Sequence, residues 1–439
     1  MEDFPPCQFE PTAYVCVVSG FNLPNLEACL ARKPADVLLL VSQGRGIADA
    51  AVRLRGQLER LLPGIRVQAL GVGEGDAELH GDGLIECQRW VLEVLMPRLR
   101  RSDLADKQHV LNLTGGTKAM TAALLGSHAW TQFDYKAEGR NRLEVFEVDP
   151  TAAHRGGRYR ALAPMTLPDV QPLDVARLHA NYVKPAPINP LADTVHDESI
   201  TLAAAIWQAQ VEDDPALKQI FRGLEAVWSD RENRAWAKPR IEQPWADFLA
   251  TQEAVGAPSA AVRQWLARCQ RLAPEALSWS DTVIRFPGNK PRKGSSAEHL
   301  RDWISGDWLE QLAYHWLLGA TLPPNAIARN VISGSDARAS GGHKETDIIT
   351  HHHNRTTLVE IKAGLPPNHA PSELENQVSA LGSRFGRTDK ALLIGPQLLR
   401  QLGQDKRLDT FELRCKASQV QLITDERALI EFALGASQR

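Results

Sequence analysis

The run Val37-Leu38-Leu39-Leu40-Val41 constrains this chain more than any other feature. Five consecutive apolar residues in so short a segment fit a strand covered on both faces, the setting of a central strand in a parallel sheet. Tyr14 to Val18, Ile65 to Leu70 and His109 to Leu113 read as further strands, and Leu143 to Val148 closes the set. Between them the apolar spacing is helical, over Ala48 to Leu62, Gly83 to Leu99 and Thr117 to about Trp130. Strand and helix alternate, so residues 1–150 are expected to form a doubly wound α/β domain.

Sheets of this kind bind ligands beyond the carboxyl ends of their strands. Three loops occupy such places: Ser19-Gly20-Phe21-Asn22, Ser42-Gln43-Gly44-Arg45 and Thr114-Gly115-Gly116-Thr117-Lys118. The third is the most telling. Its glycines let the backbone approach a phosphate, the helix start supplies free N–H groups, and Thr114, Thr117 and Lys118 add donors and charge. Neither a GxxxxGK[ST] loop nor a GxGxxG fingerprint is present, which disfavours ATP hydrolysis and NAD binding. The competing reading is a tight strand–helix turn with a threonine cap and a solvated lysine.

A chain of 439 residues suits two or three domains, and its 43% hydrophobic and 23% charged residues suit a folded, multi-core protein. A net charge of −3 offers no global attraction for nucleic acid, so such binding needs local basic patches. Six cysteines, at 7, 16, 29, 87, 269 and 415, form no CxxC pair, which fits reduced thiols in a cytoplasmic protein. No signal peptide is expected from the acidic, proline-interrupted start, and no apolar run reaches the ~20 residues of a membrane span.

Prolines crowd 161–190, so 151–200 is expected to be an extended linker. Residues 201–285 read as a helical region rich in tryptophan, either a small helix-turn-helix-like module or an insertion packed on the next domain. Arg285 to Gly294 is a basic loop, a candidate contact for a phosphate backbone or a solvated surface.

Residues 286–439 carry the second candidate site. Lys344 to Thr350 and Thr357 to Lys362 read as paired strands joined by a polar connection, His351 to Thr356. Side chains alternate along a strand, so Glu360 and Lys362 share a face, and antiparallel pairing sets Asp347 across from them. Two carboxylates beside an ammonium suit a hard divalent cation and a lysine that polarises water or steadies a phosphate. A surface hairpin of alternating charge is the competing reading. Gly306 to Leu317 reads as an amphipathic helix carrying Glu310. A strand at 328–332, a helix at 372–385, strands at 391–394 and 419–424 and a helix at 425–434 complete the expected order. The triplet His351-His352-His353 is not read as a metal site, because successive residues point in different directions.

Two motifs carry a family resemblance. Asn112-Leu113-Thr114-Gly115-Gly116-Thr117-Lys118-Ala119-Met120 resembles the signature of CARF domains, Rossmann-like sensors of the cyclic oligoadenylates made by type III CRISPR complexes. Asp347, then twelve residues, then Glu360-Ile361-Lys362 resembles the PD-(D/E)XK nucleases, with Glu345-Thr346-Asp347 in place of Pro-Asp. The resemblance implies a Rossmann-like CARF domain, a helical middle and a restriction-endonuclease-like α/β domain. It implies a homodimer gripping a ring-shaped activator, most often cyclic tetra-adenylate, with Ser19, Asn22, Ser42, Gln43, Thr114, Gly115, Gly116, Thr117 and Lys118 lining the site. It further implies a nuclease acting on DNA or RNA with Mg²⁺ or Mn²⁺. There Glu310, Asp347, Glu360 and the Ile361 carbonyl would be ligands, Lys362 would orient the attacking water, and Glu345 and Gln377 would be accessory. The alternatives are a ligand-controlled transcription regulator with a decayed nuclease domain, and a sensor domain that cleaves its own activator.

Overall fold

The computed structural model describes residues 9–71, 77–127, 129–137, 140–149, 159–193, 197–229, 240–248, 259–288, 291–320, 322–334, 344–364, 377, 380, 385, 388–404 and 406–435.

Along β1 (Glu10–Val17), alternate side chains enter two different cores. Tyr14 and Cys16 join one with Leu39, Leu54 and Leu58, whereas Val15 and Val17 join the other with Leu38, Leu40 and Trp90. This two-sided burial is why β1 and β2 (Pro34–Leu40) read as unbroken apolar runs. β3 (Arg66–Leu70), β4 (Gln108–Asn112), β5 (Gln132–Lys136), β6 (Arg142–Val148), β7 (Tyr159–Ala161) and β8 (Met165–Thr166) complete the sheet. Its order is β3-β2-β1-β4-β5-β6-β7, with β8 also on β6. The first five strands run parallel. Helices α1 (Leu23–Arg32), α2 (Ile47–Leu61), α3 (Leu84–Trp90), α4 (Met96–Leu99) and α5 (Lys118–Gly126) connect them, and a π turn joins α3 to α4.

Neither β5 nor α1 stands out in the sequence, because both bury charge. Asp134 on β5 is fully buried, and Arg32 of α1 donates to it twice, at 2.7 and 2.9 Å, while the Tyr14 hydroxyl donates at 2.9 Å. Buried charges persist when paired and hydrogen-bonded in this way.

The expected linker is largely structured. β7 and β8 extend the first sheet, α6 (Pro172–His179) packs between α2 and the second sheet, and β9 (Tyr182–Pro185) pairs antiparallel with β13 (Ile327–Gly334). Prolines misled here because they sit where regular structure tolerates them. Pro172 opens α6, and Pro185 ends a short edge strand.

The middle region is not purely helical. α7 (Asp197–Val211), α8 (Pro215–Ser229), α9 (Trp245–Phe248) and α10 (Ala260–Leu272) accompany a three-stranded sheet of β10 (Arg240–Pro244), β12 (Val283–Pro287) and β11 (Ser278–Trp279). Its core is continuous with the last domain: Ile206, Trp265 and Phe286 belong to one apolar cluster with Trp308, Leu312, Val359 and Ile361. Arg285, from the expected basic loop, lies on β12 and is ion-paired with Glu242 at 2.7 Å.

The second sheet follows the order β17-β16-β15-β14-β13-β9, from β14 (Lys344–His352), β15 (Arg355–Lys362), β16 (Asp389–Ile394) and β17 (Val420–Ile423). β13, β14 and β15 are antiparallel, and β15, β16 and β17 parallel. Helices α11 (Ser296–Asp302), α12 (Trp308–Gly319), α13 (Pro396–Gln404), α14 (Leu408–Ala417) and α15 (Glu426–Leu434) flank it. Of the helix expected at 372–385, only Gln377, Ala380 and Phe385 fall among the described residues. No helix among the described residues is long and apolar enough to cross a membrane.

Candidate active site and effector site

In the first sheet the strand order reverses direction at β1 and β4, so the crevice between their carboxyl ends is the switch point. The Ser19 and Thr114 loops lie at those two ends, and the Ser42 loop follows the neighbouring β2. Three buried asparagines hold this crevice. Asn25 Nδ2 donates to the Val17 carbonyl at 2.9 Å and to Asn22 Oδ1 at 3.1 Å, and Asn112 Nδ2 donates to Asn25 Oδ1 at 3.0 Å. Asn112 Oδ1 accepts from the Thr114 hydroxyl at 2.6 Å and the Thr114 N–H at 3.0 Å.

Gly115 is required by space, since a β-carbon there would stand 2.3 Å from the Val17 carbonyl oxygen, and Gly116 by its φ of +88°. Thr117 caps α5 by accepting from Met120 N–H at 3.2 Å, and its hydroxyl donates to the Gly81 carbonyl. Gly116, Thr117 and Lys118 are exposed.

Two expected lining residues are differently employed. Asn22 is buried, its amide spent on Ser19 and Asn25, so it builds the loop rather than lining its surface. The Gln43 amide is engaged by Glu78, although its backbone N–H, bonded to Leu79 at 2.9 Å, keeps the Ser42 loop beside the crevice. Asn25 and Asn112 escaped sequence reading, although Asn112 is the first residue of the quoted motif.

At the second site the hairpin register pairs Ile348 with Val359. One step further the ladder opens, and the Ile361 N–H donates to Asp347 Oδ2 at 2.6 Å. Lys362 Nζ lies 3.1 Å from Glu360 Oε1 and 3.9 Å from Asp347 Oδ2. The structure thus brings Asp347, Glu360 and Lys362 together. Glu310, on α12, is close enough for its charge to bear on Asp347 and Lys362. Its helix is pinned by the wholly buried Gln311, which accepts from Trp303 Nε1 at 2.9 Å and donates to Ser199 Oγ at 2.7 Å.

Several ionisable groups here are displaced from their ordinary values. Burial, then repulsion from Glu360, pushes the Asp347 carboxyl up to about 7. Burial, then Asp347 and Asp307, pushes Glu310 well above the carboxylate range, and burial with Glu360 raises Glu345. For Lys362, burial favours the neutral amine, but Asp347 and Glu360 outweigh it and raise its pKa. Arg329, missed in the sequence because it interrupts an apolar strand, is buried behind the site, with its guanidinium 4.8 Å from the centre of the Tyr314 ring. Among the described residues, Asp307, Glu310, Glu345, Asp347 and Glu360 lie within reach of the charges of Lys362 and Arg329. Among the described residues no three His, Cys, Asp or Glu side chains form a ready metal cage. The donors nevertheless suit a hard cation, being carboxylate oxygens, and Mg²⁺ commonly keeps its waters and takes only one or two carboxylates.

The histidine triplet does not converge. Strand pairing continues through His352 and Arg355, so the expected six-residue connection shrinks to His353 and Asn354, both at positive φ (48° and 61°). That is the backbone of a tight two-residue hairpin. His351 is buried, with Nδ1 2.9 Å from Thr356 Oγ1, and the His352 and His353 rings lie 3.8 Å apart.

A cavity of 160 Å³ between α7, α8 and α13 lies apart from both sets of residues, and its Lys218 and Arg400 are ion-paired with Asp213.

No family model matches the chain, and no curated protein does. Solved structures do. Protein VC1899 from Vibrio cholerae aligns with a TM-score of 0.65 at 14% identity, over 98% of this chain and 97% of that one. Can2 from Sulfobacillus thermosulfidooxidans, solved in complex with cyclic tetra-adenylate, aligns with a TM-score of 0.63 at 16% identity, over 97% and 98%. The chain has their fold from end to end. A Rossmann-like α/β domain and a second α/β domain, with the mixed helical and three-stranded middle region between them, form its architecture.

Proposed function

We propose that this protein is a metal-dependent nuclease switched on by a cyclic oligoadenylate, acting in type III CRISPR defence. The observation that carries the reading is the meeting of Asp347, Glu360 and Lys362 at the opened end of a hairpin. Asp347 and Glu360, with the Ile361 carbonyl and Glu310 nearby, are the residues that would hold Mg²⁺ or Mn²⁺. Such an ion, when bound, neutralises charge building on the phosphodiester. The Lys362 ammonium, held by two carboxylates, orients the attacking water or a phosphate oxygen, and Arg329 and Glu345 support the set from behind.

The effector is read at the other end of the chain. The glycine loop offers the backbone N–H groups at the start of α5, together with Thr117 and Lys118, to a phosphate, and Ser19 and Ser42 flank it. Cyclic tetra-adenylate, the ligand in the Can2 structure, is the first candidate. A ring-shaped ligand fits a two-fold axis, so the working unit is a homodimer.

The test is cleavage of supercoiled plasmid and labelled RNA with Mn²⁺ or Mg²⁺, with and without rings of several sizes. Equal cleavage without activator removes the switch, and full activity in Glu360→Ala removes the site. Sedimentation with and without the ring tests the dimer.

A further inference from the structure

The two domains meet through a buried charged triplet that neither site uses. Glu27, on α1, is fully buried, and Lys136 Nζ at the end of β5 is ion-paired with its Oε2. Among the described residues, Glu27 Oε1 has no hydrogen-bond partner. It faces His351 Nε2 on β14 of the other domain at 3.6 Å, and that nitrogen also lacks a partner. In the tautomer in which His351 Nδ1 accepts from the Thr356 hydroxyl, the ring proton lies on Nε2, aimed at Glu27. An N–H···O hydrogen bond spans about 2.7–3.2 Å, so closing by roughly half an ångström would complete it. Two buried polar atoms left just out of reach are a costly arrangement, and one that a small shift relieves.

Each member of the triplet stands on an element that meets a functional site. α1 starts directly after the Ser19–Asn22 loop. The Lys136 backbone N–H donates to Thr114 Oγ1 at 3.0 Å, tying the end of β5 to the glycine loop. His351 lies four residues beyond Asp347 on one strand, and every pair from Ile348–Val359 to His352–Arg355 is in register with β15. The hairpin tip touches the first domain again, where Asn354 donates to Asn141.

We infer that the Lys136–Glu27–His351 triplet is the coupling between the effector crevice and the Asp347 hairpin. A phosphate-rich ligand drawing in the glycine loop and the start of α1 carries Glu27 onto His351, and the completed hydrogen bond sets the hairpin that positions Asp347 and Glu360. Glu27 and His351 are positioning residues here, since neither touches substrate. The inference rests on the functional reading above, and a coupling of this kind is reciprocal.

The experiment uses the full chain, cyclic tetra-adenylate, and three readouts: ring binding by calorimetry, amide exchange over 344–352, and ring-stimulated cleavage. In the wild type, the ring is expected to increase protection over 344–352. In His351→Phe, ring binding and unstimulated cleavage persist, the change in protection disappears, and stimulation falls about 5–150-fold. His351→Gln, whose amide reaches the place of Nε2, recovers part of the stimulation. His351→Phe combined with Glu27→Gln is no worse than the more severe single variant. Wild-type protein that binds the ring with unchanged exchange over 344–352 overturns the coupling, even if no variant folds. So does wild-type stimulation in His351→Phe. Absence of ring binding in the wild type instead removes the functional reading, and the coupling with it.

Discussion

The glycine loop after β4 and the hairpin of β14 and β15 both gather polar side chains at strand ends, yet they are built in opposite ways. Around the loop, Asn22, Asn25, Asn112 and Thr114 satisfy one another and the Val17 carbonyl, leaving an exposed surface of glycine, threonine and lysine. Around the hairpin, several carboxyl groups are gathered, and burial with repulsion from Glu360 raises Asp347 to about 7. The first network is neutral and holds one shape through mutual hydrogen bonds. The second sets buried carboxyl groups against one another. The difference teaches where each site is fragile: the first through geometry, the second through electrostatics.

The largest effect should come from the acidic side. Glu360→Ala or Asp347→Ala is expected to lower Mn²⁺-dependent cleavage by at least about 10²-fold, read on plasmid and RNA, while ring binding persists. Retained cleavage would break the contrast, because the acids would then be structural. Gly115→Ala drives a methyl group against the Val17 carbonyl. It should destabilise the fold by about 1–3 kcal/mol in a urea titration and weaken ring binding, with the acidic site spared.

Asn25→Ala orphans the Val17 carbonyl and the Asn112 amide, so about 1–3 kcal/mol of stability should be lost. A neutral result would show that water replaces the network. Glu27 provides a pH test. Burial raises its folded pKa to about 7, against about 4.3 when unfolded, with Lys136 opposing the rise. The folded state therefore binds the proton more tightly, and this contribution to stability is complete below about pH 4.3 and lost as pH rises through 7. Urea midpoints of wild type minus Glu27→Gln should fall between pH 5 and 8, and a flat difference would show the carboxyl already ionised. The smallest effect belongs to Arg285→Ala, whose exposed pairing with Glu242 should leave the melting temperature unchanged.

Much of this protein is legible along the chain. Continuous apolar runs mark β1, β2 and β4 because both faces of those strands are covered, and alternation with helices declares the doubly wound sheet. The Thr114–Lys118 loop and the Asp347, Glu360, Lys362 set are visible because backbone freedom and strand alternation are local properties. Elements that bury charge are not: β5 carries Asp134 and Lys136, and α1 carries Glu27 and Arg32, and each needs a partner distant in sequence. Nor do prolines betray α6 and β9, whose regularity depends on packing against strands more than a hundred residues away.

The sequence by itself placed Asp347, Glu360 and Lys362 on one hairpin and Thr114 to Lys118 in one loop, since chain order sets which side chains share a strand face or a loop. Only the tertiary structure decided that Asn22 is buried, that the middle region shares a core with α12, and that His351 faces Glu27 across the domain boundary. Those outcomes depend on which distant surfaces exclude water together, and local periodicity holds no record of that.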